Sequence, residues 1–244
     1  MILSFSNCNN RRETVLKSEK TAKTVSKIFT ANTEKNNLKT DTLIKKSMPL
    51  KINGMDCFWE LKLLIGQGNK SGDGILALKN MQSKRTILTN SDYYSLDNSY
   101  HTNSFNRIDF ESLNKEAIKD LNFDGYKDCM IYGLSESGSA GSFYKVYLFN
   151  NEKKIFELSE AVSGYDIAID TISRTLSSGG RNGYGYSISA VNYFGRKGKI
   201  KYTEITEKEV ISGEPKRLLK TTYKKIIDKK IKETKIDTAN FEGW

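Results

Sequence analysis

In the stretch CFWELKLLI, Cys57, Trp59, Leu61, Leu63 and Ile65 stand at every second position. That spacing puts all five on one side of an extended strand, whereas a helix would scatter them around its circumference, so this segment is a half-buried β-strand. The same texture recurs downstream. The polar GQGNKSGDG is a turn region, ILALKNMQSKRTILT gives two short strands around Met81–Lys84, and residues 91–107, rich in Asn, Ser and Tyr, read as a long loop. CMIYGL, FYKVYLFN and IFELS continue as strands. GYGYSISAVNYF and IKYTEITEKEV form a hairpin around GRKGK, and KRLLKTTYKKI and KIKETKI form another around IDKK. FESLNKEAI is the best helical candidate, although its short length suits an edge strand equally. About ten strands with almost no helix predict an all-β domain, either an antiparallel sandwich or a twisted propeller-like sheet.

The N-terminal segment has a different character. MILSFSNCNN is short and apolar, and it resembles the last part of a bacterial lipoprotein signal peptide, which ends at a cysteine that becomes acylated. On that resemblance residues 1–8 are a truncated signal-like segment, Cys8 is the lipidation site, and the protein is anchored in the periplasm or at the outer membrane. Residues 9–48 are dominated by Lys, Thr, Asn and Ser without apolar periodicity, which predicts a disordered basic tether, and residues 49–244 then form the β domain. The chain carries 39 Lys and Arg against 29 Asp and Glu, a formal charge of +10. Such a field favours anionic partners, and a lysine-rich tether beside an anchor would lie along an anionic leaflet. No zinc-finger spacing, RNP-like motif or basic heptad pattern accompanies the charge, so nucleic acid is not the expected partner. No apolar run is long enough to cross a bilayer as a helix.

One loop carries metal chemistry. In DLNFDGYKD, Asp120, Asn122, Asp124 and Asp128 fall at the first, third, fifth and ninth positions, Gly125 permits the turn, and Tyr126 offers a main-chain carbonyl. Calcium takes about six to eight oxygen ligands, and this spacing lets one short loop wrap the ion. An EF-hand needs a glutamate at the twelfth position, which here is Ile131, and a strand rather than a helix follows. The loop therefore resembles the DxNxDGxxD calcium loops found between strands of extracellular β repeats, with a structural ion rather than a sensor. Without an ion, the same residues make an Asx-rich turn that satisfies its own backbone.

Two glycine-rich segments follow. SESGSAGSFY carries Ser137, Gly138, Ser142 and Tyr144, and SSGGRNGYGY carries Arg181; neither has the spacing of a phosphate loop. Taken with the signal-like start, the Asp-rich loop, YKVYLFNNEKKIFELSE and GGRNGYGYSISAVNYFGRKGKI, they resemble β-rich periplasmic lipoproteins that act as immunity proteins against lysozyme-like toxins. Those lipoproteins are similar in turn to periplasmic inhibitors of invertebrate-type lysozyme. The resemblance covers about residues 105–235 and implies a calcium-bound β domain that inhibits a cell-wall-degrading enzyme. In the inhibitors an SGxxY-type loop enters the enzyme cleft and caps its carboxylates. Ser137 and Gly138 match the start of that motif, and Gly141, Ser142 and Tyr144 form a degenerate second copy. Hydroxyls flanked by Arg181 suit hydrogen bonding to the paired carboxylates of a glycosidase. The charge of +10 favours an acidic enzyme over a basic lysozyme as target.

Other readings remain open from the residues. A cell-envelope module that binds glycan or protein would use the same calcium loop without inhibiting anything. With a single histidine, His101, Ser-His and Cys-His hydrolases are disfavoured, and carboxylate chemistry at Asp109, Glu111 or the Asp-rich loop is the least favoured reading, so no enzyme activity is expected. Cys57 and Cys129 both fall in strands, where they either pair or sit buried as thiols.

Overall fold

The computed structural model describes residues 40–96, 103–133, 137–181, 185–211 and 217–241, so Cys8 and His101 lie outside the described residues. The chain builds three antiparallel sheets in succession. The first contains β1 (Thr40–Lys46), β2 (Leu50–Ile52), β3 (Met55–Gly66), β4 (Ser71–Asn80), β5 (Thr86–Ser95) and the short parallel β6 (Asn103–Ser104). The helix α1 (Phe110–Ala117) leads into the middle sheet of β7 (Ile118–Lys119), β8 (Asp128–Tyr132), β9 (Phe143–Asn150), β10 (Ile155–Leu158) and β11 (Gly164–Tyr165). The third sheet runs in chain order through β12 (Ala168–Asp170), β13 (Thr175–Arg181), β14 (Tyr186–Phe194), β15 (Ile200–Ile211), β16 (Leu218–Ile227) and β17 (Lys230–Asn240).

Alternation explains how the middle sheet joins the other two. On β9, Tyr147 and Phe149 face the first sheet, where they meet Trp59, Leu61, Leu63 and Leu78 in one buried core. Val146 and Leu148, at the alternate positions, face the other way, Val146 into a second core with Leu121, Val162, Leu176 and Phe194 and Leu148 packed against it. A strand buried on both faces reads as a near-continuous apolar run, as FYKVYLFN does. Trp59 is fully buried in the first core, and its indole N–H donates to Asn114 Oδ1 of α1 at 2.8 Å. Cys57 and Cys129 are buried as free thiols in the same core, and burial pushes the Cys57 thiol up to about 11 and the Cys129 thiol up as well.

Three expectations differ from the structure. The β domain begins at Thr40, inside the stretch read as tether, because β1 pairs with β3 from Thr40↔Gly66 to Lys46↔Glu60. Its exposed edge position needs main-chain bonds more than apolar side chains, so the sequence shows little periodicity. Ser91–Ser95, read as loop, continues β5, with Asn90, Asp92 and Tyr94 buried on one face. The first half of SSGGRNGYGY is strand β13 rather than loop. Asp109 and Glu111, weighed as catalytic carboxylates, have local partners. Asp109 caps α1 by accepting the Glu111 N–H at 2.9 Å and the Ser112 hydroxyl at 2.7 Å, and Glu111 pairs with Lys115.

Candidate functional site

The loop from Asp120 to Asp128 lies between β7 and β8, where the chain must reverse to pair Lys119 with Asp128. Phe123 and Gly125 take positive φ, at 62° and 93°, to make the reversal. Four side-chain oxygens from three residues fold inward onto the loop's own backbone. Asp120 accepts the N–H groups of Asp124 at 3.1 Å and Gly125 at 2.9 Å, Asn122 Oδ1 accepts the Asp124 N–H at 3.1 Å, and Asp124 Oδ1 accepts the Tyr126 N–H at 2.8 Å. A carboxylate or amide oxygen that accepts one N–H retains a lone pair, so Asp120, Asn122 and Asp124 keep oxygen donors of the kind calcium takes.

Asp128 has a different set of contacts. Its side chain is fully buried, one oxygen accepts the Leu121 and Asn122 N–H groups at 2.9 and 3.2 Å, and the other accepts the Phe149 N–H of β9 at 2.8 Å. Here the carboxylate acts as a staple between the loop and the middle sheet. Burial pushes it up to about 7, against the opposing pull of these backbone bonds. Among the described residues, no three His, Cys, Asp or Glu side chains converge as a metal-binding group. The side-chain oxygens left to hold an ion are those of Asp120, Asn122 and Asp124, whereas both Asp128 oxygens, expected as ligands from the spacing, are taken up by backbone N–H groups.

The same loop is gripped from both neighbouring sheets. From the first sheet, the turn between β2 and β3 presents Asn53, whose amide donates to the Lys127 carbonyl at 2.8 Å and accepts the Lys127 N–H at 2.7 Å. From the third, Arg174 donates to the carbonyls of Phe123 at 2.7 Å and Gly195 at 3.1 Å, with its guanidinium 5.4 Å from the Phe123 ring centroid. Phe123 in turn packs edge-on against Phe194 at 5.6 Å. Gly198, at φ +69°, sits so close that a Cβ there would lie 2.7 Å from the Asn122 amide nitrogen and 2.8 Å from Asp124 Cβ. A glycine is required at that point of the turn.

The second assembly joins the two glycine-rich segments. Gly138 and Gly141 exchange backbone hydrogen bonds of 3.1 and 3.0 Å, closing a tight turn with Ser139 at its exposed tip. Ser137 secures the base of the turn, its hydroxyl donating to the Gly133 carbonyl and accepting the Phe143 N–H, each at 2.8 Å. Asp166 accepts the Ser142 N–H at 3.0 Å, and a Cβ on Gly141, at φ +129°, would lie 2.4 Å from that carboxylate. Across the gap, the Arg181 N–H donates to the Ala140 carbonyl at 3.1 Å, so the turn docks on β13 past the end of its pairing with β12. A cleft of about 450 Å³ opens there, lined by Ser139 and Gly141 on the turn and by Arg181, Ser187, Thr206 and Lys208 on the third sheet.

Of the five residues expected to meet a partner, Arg181 lines this cleft. Ser137, Gly138 and Ser142 build the turn, and Tyr144 is a strand residue of β9 whose ring packs edge-on against Tyr132 at 5.7 Å. Lys208, Ser187 and Thr206 escaped notice because each looks like an ordinary outward-facing strand residue. Their convergence follows from the register, which places Arg181 opposite Ser187 and Ser187 opposite Lys208.

No protein-family model matches the chain, and no curated protein matches it. A solved structure, that of a Xanthomonas type IV secretion system related protein, is similar over 78% of this chain and 98% of its own, with a TM-score of 0.40 and 14% identity. A likeness of that degree identifies no function.

Proposed function

We propose that the protein is a non-enzymatic, calcium-stabilised cell-envelope lipoprotein that binds and inhibits a lysozyme-like, cell-wall-degrading enzyme, as an immunity protein does. The observation that carries this reading is the pre-organised turn from Gly138 to Gly141, held at both ends and set beside Arg181 and Lys208. A turn already fixed in one conformation loses little entropy when it enters an enzyme groove. Two cations beside it suit a target whose active site holds a pair of carboxylates, since charge-assisted hydrogen bonds to a carboxylate are about twice as strong as neutral ones. The direct test is capture of envelope proteins by the purified chain, followed by a muramidase assay on what is retained. Inhibition at stoichiometric ratio supports the reading; if no retained cell-wall hydrolase is slowed, the reading fails.

Calcium belongs to the same proposal. Held by Asp120, Asn122 and Asp124, it would offset the repulsion of the two carboxylates and rigidify the joint to which all three sheets attach. Binding to the folded state alone stabilises by about 2.7 kcal/mol at a hundredfold excess over Kd. The melting temperature should therefore rise on adding calcium and fall with excess EGTA, and Asp124→Ala should abolish the difference. Identical melting curves in calcium and EGTA would remove the ion from the proposal.

A further inference from the structure

The third sheet ends in an unusual strand. All eleven residues of β17, from Lys230 to Asn240, are exposed, and among the described residues no strand lies beyond it. Ile231 and Ile236 stand 59% and 62% exposed on it. The Phe241 N–H donates to the Arg217 carbonyl, and because antiparallel pairing alternates, the main-chain groups of Thr234, Ile236 and Thr238 point away from β16. An edge of this length is a template for another strand.

From this edge we infer that β17 is a homodimer seam, in which two copies pair β17 with β17 antiparallel about a two-fold axis at Ile236 and continue the third sheet from one copy into the other. Symmetry leaves few registers, because a two-fold axis normal to the sheet sets each residue opposite one on its own face. Centring on Glu233, Lys235 or Asp237 puts that charge against its own copy, which is destabilising. Centring on Thr234 sets Lys235 against the partner's Glu233 but also Lys232 against the partner's Ile236, and centring on Thr238 sets Ile236 against the partner's Asn240 and Asp237 against the partner's Ala239. Centring on Ile236 sets Ile236 against the partner's Ile236, Lys235 against the partner's Asp237, and Thr234 against the partner's Thr238. Each of these three pairs is matched in polarity or charge, the two-fold axis supplies the latter two twice, and Glu233 meets only the small Ala239 of the partner. The ion pair of Lys235 with Glu233 in the monomer, at 2.9 Å, is exposed and readily exchanged for one with the partner's Asp237.

Sedimentation velocity of the full chain over a wide concentration range tests the inference. A reversible monomer–dimer equilibrium is expected. Lys235→Asp should weaken the dimer about tenfold or more, because symmetry applies the change twice. The double variant Lys235→Asp, Asp237→Lys restores the opposite-charge pairing and should restore the dimer, and circular dichroism should show both variants folded. A monomer at every concentration overturns the inference. So does a dimer that Lys235→Asp leaves unchanged, or one that the double variant fails to recover.

Discussion

Replacing Asp128 by alanine should cost about 4 kcal/mol of folding stability, since it leaves three buried backbone N–H groups without an acceptor. The loss should be read in urea unfolding monitored by tryptophan fluorescence, Trp59 being fully buried. For a domain of this size the melting temperature should fall by about 10 °C. Asp128→Asn, which keeps the shape but turns one acceptor into a donor, should lie between the two. A variant that unfolds at the wild-type midpoint would mean that the staple holds nothing. The acidity of the group sets a pH dependence as well. Its value rises from the ordinary 3.8 to about 7 in the folded protein, so proton binding favours the fold. In calcium-free buffer the contribution is full below about pH 4 and is lost as the pH rises through about 7, and this slope should vanish in Asp128→Ala.

Reversing the charge at Arg181 should weaken binding to the captured hydrolase by about a hundredfold. Arg181 ends β13 with an exposed side chain on the wall of the cleft, and its main-chain bond to Ala140 survives any substitution except proline. Arg181→Glu then sets a carboxylate against carboxylates in a partly desolvated groove, where like charges cost several kcal/mol. Lys208→Glu should act in the same direction and more weakly, because a lysine makes no bidentate fork. Calorimetric titration with the purified hydrolase measures both. If Arg181→Glu binds as tightly as wild type, the cleft is not the contact surface, and the exposed tip at Ser139 becomes the next position to vary.

The fold was legible wherever one face of a strand is buried. CFWELKLLI could be read because its alternation records burial directly, FYKVYLFN because a strand buried on both faces is a near-continuous apolar run, and the two C-terminal hairpins because their polar turns GRKGK and IDKK mark them. β1 and β13 were not, for opposite reasons. TDTLIKK lies on an edge and sends only Leu43 against the core, too little for alternation to record. In TLSSGGR small residues are needed because Tyr165 and the Ala140 carbonyl approach Gly180 closely, and small residues read as a turn. The Asp-rich loop shows where motif spacing stops informing. Asp120, Asn122 and Asp124 act within seven residues of chain and behave as spacing suggests, folding inward on their own turn. Asp128 is committed by Phe149, on the next strand of the sheet, and no local pattern contains that contact.

The three sheets follow one another along the chain without interleaving, each made of strands that are mostly neighbours in sequence. A chain emerging from the ribosome can therefore complete each meander before the next is synthesised, with small loop-closure cost at every step. The loop at Asp120 to Asp128 cannot be finished in that way. Asn53 comes long before it and Arg174 and Gly198 long after, so its clasp waits for the third sheet, and assembly of this protein ends at its middle.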